Sequence, residues 1–182
     1  MQTTHFVWIS LTAIVLFALT DAALAAAADS KDAREPAATL VETVRRVTKR
    51  FQNVEEAIAA GYTDSGVCVS GLEEGAMGVH FGNAELIGDG ELDPRHPEIL
   101  VYEPKNGQLR LVAVEYVVFA EAWDANNPGP PSLLGHLLHY GGRPNRYRAP
   151  AAYELHVWAW KENPHGMFAD WNPKVSCAGY AP

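Results

Sequence analysis

Residues 98–119, EILVYEPKNGQLRLVAVEYVVF, decide the fold. Two runs rich in β-branched and aromatic side chains flank Pro104-Lys105-Asn106-Gly107. Asn-Gly between such runs closes a tight hairpin, because both residues tolerate the positive φ that its turn requires. The spacing predicts antiparallel strands over Glu98–Glu103 and Leu109–Phe119. Working outward, Ala76–Phe81 and Tyr153–Trp160 carry the same strand character. No helical pattern alternates with these runs, which argues against a parallel βαβ sheet.

Upstream of the strands, Leu40, Val44, Val47, Phe51, Val54 and Ile58 recur at three- and four-residue steps with charged residues between them. That period predicts one amphipathic helix from Pro36 to Ala60, about seven turns at most, with Pro36 in its first turn and Gly61 as its C-terminal cap. The expected fold class is α+β: one long N-terminal amphipathic helix packed on a curved antiparallel sheet of about four strands. Long loops fall at Gly82–Pro97, Ala120–Pro150 and Lys161–Pro182.

The first residues read differently. Phe6 to Leu19 is almost wholly apolar and runs into Ala23-Leu24-Ala25, a small-x-small cleavage pattern. Residues 1–25 are expected to be a signal peptide, residues 26–35 a flexible arm, and residues 36–182 a single domain. The apolar run is short for a membrane span, so no stable membrane anchor is expected. Export implies a periplasmic or secreted protein, a setting in which paired thiols oxidise. Cys68 and Cys177, the two cysteines of the chain, are expected to form a disulfide, and neither sits in a C-x-x-C pattern. The chain carries a net charge of −8. Arg143, Arg146 and Arg148 make only a short local cluster, so nucleic acid is excluded as a partner. There is no Gly-x-Ser-x-Gly elbow and no phosphate-binding glycine loop opening a helix. The sequence assigns no reaction.

Chemistry enters through strand alternation. It places Glu115 on a face with Leu109, Leu111, Ala113, Val117 and Phe119, His80 beside Gly78, and His156 beside Glu154, Trp158 and Trp160. A carboxylate among apolar neighbours must be paired, hydrogen-bonded, protonated or metal-bound. If the three faces coincide, His80, Glu115 and His156 form a ligand set for one transition-metal ion, zinc, iron or copper. A buried hydrogen-bond network is the alternative use of the same residues. A second reading is a metal-free pocket for a small ligand lined by Tyr102, Tyr116, Trp158 and Trp160, and a third is a structural or interaction domain. His136 and His139 could meet on one side of a helical turn.

The segments Gly75-Ala76-Met77-Gly78-Val79-His80-Phe81, Pro97-Glu98-Ile99-Leu100-Val101-Tyr102-Glu103-Pro104, Val114-Glu115-Tyr116 and Leu155-His156-Val157-Trp158 through Asn172-Pro173 resemble a family of uncharacterised secreted bacterial proteins. The resemblance implies export and a shared small domain. It brings no activity with it.

Overall fold

The computed structural model describes residues 39–143 and 149–181. The expected signal peptide, the arm and the start of the predicted helix lie outside the described residues. Residues 39–48 are helical (α1), Lys49–Gln52 tighten into a 3-10 turn, and Val54–Ala59 form a separate short helix, α2. One long helix up to Ala60 is therefore not what forms. The break has a local cause. Asn53 is extended and its side chain accepts the amide of Glu55, which makes it the N-cap of α2. The break also shifts the phase: Ala57 is buried, whereas Ile58, placed on the apolar stripe by an unbroken period, is 51% exposed.

The expected four strands are also too few. The main sheet has six antiparallel strands in the order β1-β2-β3-β4-β8-β7. They are β1 Tyr62–Ser70, β2 Ala76–Asn83, β3 Ile99–Lys105, β4 Gln108–Phe119, β7 His139–Gly141 and β8 Ala152–Val157. Short helices α3 (Ala84–Asp89) and α4 (Ala120–Asp124) follow β2 and β4, and Ser132–Leu133 (β5) pairs with His136–Leu137 (β6) in a small separate ribbon. The β3–β4 hairpin turns at Asn106 and Gly107, both at positive φ. No helix among the described residues is long and apolar enough to cross a membrane.

Alternation sorts the side chains to two faces. Val79, Phe81, Leu100, Tyr102, Val114, Tyr116, Leu155 and Val157 meet Leu40, Val41, Val44 and Phe51 in the larger core, on the helix side. Ala76, Val101, Val112, Ala113 and Trp158 form a smaller core on the opposite face with Val175 from the C-terminal segment. The strand β4 does not alternate without interruption. Val101 pairs with Ala113 but Tyr102 pairs with Leu111, so the ladder is out of step at Val112. That bulge sends Leu109 and Leu111 to the helix side and leaves Ala113, Glu115, Val117 and Phe119 together on the other.

The C-terminal segment closes over the smaller core. Ala76 and Asn172 exchange both backbone hydrogen bonds, at 3.1 and 3.2 Å. This close crossing needs Gly75: a Cβ there would lie 2.3 Å from the Asn172 carbonyl oxygen, and its φ is +89°. Fully buried Asn172 donates to the Glu162 carbonyl and accepts the Lys174 amide, while Asn163 donates to the Trp171 carbonyl. Lys161 Nζ pairs with both oxygens of Glu103, at 2.6 and 2.8 Å. The Cys68–Cys177 disulfide then joins β1 to the segment's end, with Cα atoms 5.7 Å apart.

Two expectations follow. Peptide mapping without reductant should recover Cys68 linked to Cys177, and a Cys68→Ala/Cys177→Ala protein should lose about 2–4 kcal/mol of stability, given the long loop the bond closes; two free thiols, or unchanged stability in the double variant, would count against this. The second concerns Glu98, which is buried and whose Oε2 accepts the Val117 amide. Desolvation pushes its pKa up to about 8. Between the ordinary carboxylate value and about 8 the native state holds a proton that the unfolded chain has released, so this group makes stability fall as pH rises and adds no further loss above about 8. Glu98→Gln should flatten the decline in denaturant midpoint between about pH 5 and 8, and parallel profiles for the two proteins would refute that assignment.

Candidate metal centre

The register brings the three expected ligands together. Glu115 on β4 stands directly opposite His156 on β8, so their side chains leave the same face. His80 on β2 reaches the same place across β3, where Ile99 is the residue paired with Glu115. Its Nε2 lies 3.5 Å from Glu115 Oε2, and His156 Nε2 lies 3.7 Å from that same oxygen. The ligand atoms of the three residues all fall within 4.8 Å of one another. The two imidazoles meet edge to face at 5.9 Å.

Burial governs the protonation of this group. Desolvation, with His156 nearby, pulls His80 down to about 3, so it is neutral at pH 7. Desolvation pushes the Glu115 carboxyl up to about 7 against the attraction of His156, and Glu154 adds to the rise. Burial opposes charge on His156, yet Glu115 and Asp170 outweigh it and raise its pKa. His156 is 1% exposed, and no hydrogen bond reaches either of its ring nitrogens among the described residues.

The cluster forms part of the wall of a cavity of about 690 Å³ on the sheet face opposite α1, with Ile87 of α3 at its border. Val67, Val69, Met77, Ile87, Ile99, Val117 and Phe119 supply most of the remaining wall, with Ser65 and Ser70 among them. The expected aromatic lining is elsewhere. Tyr102 and Tyr116 are buried in the helix-side core and donate to the carbonyls of Phe51 and Pro94. Trp160 donates to Thr48 Oγ1, and Trp158 is packed under the C-terminal segment, its ring nearly parallel to His156 at 6.4 Å. None of the four lines the cavity.

Three further polar residues adjoin the cluster. Glu154 precedes His156 by two residues on β8 and so shares its face, and His139 on β7 stands opposite Glu154. His139 Nε2 lies 3.1 Å from Glu154 Oε1 and 3.4 Å from Asp170 Oδ1. Asp170 also lies 3.6 Å from His156 Nδ1. The alternation of β8 contains the signal for Glu154. Asp170 arrives through docking of the C-terminal segment, which has no local signature. His136 and His139 do not pair as on a helical turn: they occupy separate short strands, and His136 packs on Phe168 at 4.3 Å between ring centres.

No protein-family model, curated protein or solved structure matches the chain.

The aromatic placements give a test that separates core from site. Tyr102→Phe should leave the buried Phe51 carbonyl without its donor and lower stability by about 1–3 kcal/mol. It should leave the metal content, measured by elemental analysis, the same as that of the unsubstituted protein. A loss of metal without a loss of stability would return Tyr102 to the site.

Proposed function

We propose that this chain is an exported binding protein that holds a transition-metal ion at His80, Glu115 and His156. One observation carries the reading. The Nε2–Oε2 separations of 3.5 and 3.7 Å are too long for charge-assisted hydrogen bonds, which draw in to about 2.7–2.9 Å. Ligands about 2.0–2.2 Å from a shared tetrahedral centre instead stand about 3.3–3.6 Å from one another, a range that holds the 3.5 Å separation and ends just short of the 3.7 Å one. An imidazolium His156 donating to both Glu115 and Asp170 is the competing arrangement, and it would close those gaps.

Two neutral imidazole nitrogens and one carboxylate suit zinc, iron or copper, and three protein ligands leave a coordination position for a further group. The apolar cavity beside the cluster supports a small, largely apolar ligand as the occupant of that position. The Cys68–Cys177 bond supports export, because structural disulfides persist in oxidising compartments. The apolar leader and the resemblance to secreted bacterial proteins support the same location. A metal-free reading would need the cavity to select its ligand by its Ser, His and Glu side chains alone.

The test is elemental analysis of untagged protein recovered after export. At least one equivalent of zinc, iron or copper is expected per chain. His80→Ala should abolish the ion held at this triad while the far-ultraviolet circular dichroism stays that of the native fold. Protein that carries no metal on isolation and takes up none from added Zn²⁺ would overturn the proposal.

A further inference from the structure

The second group of donors meets the first at one side chain. His156 is buried between them, with Nε2 toward Glu115 and Nδ1 toward Asp170, and neither nitrogen has a hydrogen bond among the described residues. His139, Glu154 and Asp170 bring one nitrogen and two carboxylate oxygens to within 4.8 Å of one another beside that Nδ1. The electrostatics give them a reason to share a cation. Glu154 stands opposite Val117, two residues along β4 from Glu115, and both carboxylates face the same cavity. The ion pairs found for Glu115, Glu154 and Asp170 among the described residues are all to histidines. Three carboxylates gathered on three imidazoles leave negative charge that divalent cations would neutralise.

We propose that His156 bridges two divalent transition-metal ions. Its Nε2 faces the ion held with His80 and Glu115, and its Nδ1 faces a second ion held by His139, Glu154 and Asp170. The inference rests on the first site as read above and extends it. A neutral imidazole carries a single ring proton and offers one free lone pair. Occupation of both nitrogens therefore displaces that proton to the solvent, and the imidazolate shares its negative charge between the two ions.

The two positions differ in exposure, which orders their affinities. The ligands of the first are buried, with side chains of His80, Glu115 and His156 at 13%, 7% and 2% exposure. His139 and Asp170 are far more open. The first ion is held tightly and the second exchanges more readily.

Copper(II) added to the full-length exported protein is the probe, with binding followed by elemental analysis after desalting and by electron paramagnetic resonance. Two equivalents are expected, and the resonance intensity per copper should fall on passing from one equivalent to two, because spins joined through an imidazolate couple. Asp170→Asn and His139→Ala should each retain one equivalent with an uncoupled signal. Because His139 is exposed, its variant separates ligand loss from unfolding. Two equivalents with simply additive signals would overturn the bridge. A single equivalent in the wild type, unaffected by either substitution, would overturn the second position while leaving the first intact. No bound copper in any variant would remove both readings together.

Discussion

The structure depends on the register of β4. This strand of 12 residues is paired on both sides, to β3 and to β8, and it carries both cores and the donor set. Side-chain direction in a strand has a period of two, so a slip of one residue would send Glu115 into the helix-side core and turn Tyr116 out toward the cavity. The Val112 bulge lets one strand serve both faces with apolar residues: before it Leu109 and Leu111 feed the larger core, and after it Val114 and Tyr116 take over that task. Without the bulge, Leu109 and Leu111 would share the face of Glu115 instead of packing below the helix.

What could be read from the sequence follows from how local each signal is. The hairpin at Asn106-Gly107 was legible because its turn chemistry sits between two strongly patterned strands. β1 was not: of Tyr62–Ser70 only Tyr62 and Val69 are buried, so an edge strand open to solvent shows almost no alternation. The helix was overextended because Val54 and Ile58 continue the period of Leu40 and Val44, while the N-cap at Asn53 is a single-residue signal inside that run. His80, Glu115 and His156 were legible as polar residues among core-forming neighbours. Their meeting point depends on strand order, and the contribution of Asp170 depends on a segment docking over the opposite face.

The buried donors and the C-terminal segment constrain each other. The segment places Trp158 and Val175 against Ala76 and Val101, and the same path carries Asp170 to His156. Asn163 and Asn172 fix that path by hydrogen-bonding the backbone of Trp171, Glu162 and Lys174. Packing and ligand positioning thus use one stretch of chain. The glycine at position 75 marks where its backbone comes closest to the sheet.

An open sheet ends in two strands whose outer amides and carbonyls could recruit another chain. Here both ends are poor templates. β7 is three residues long, and β1 falls out of step with its neighbour between Asp64 and Cys68 and again at Ser70. Tyr180, from the C-terminal segment, donates to the Asp64 carboxylate and sits beside that irregular border. Short and irregular edges disfavour edge-to-edge pairing with another chain, and the same weak patterning made these outer strands hard to read from the sequence.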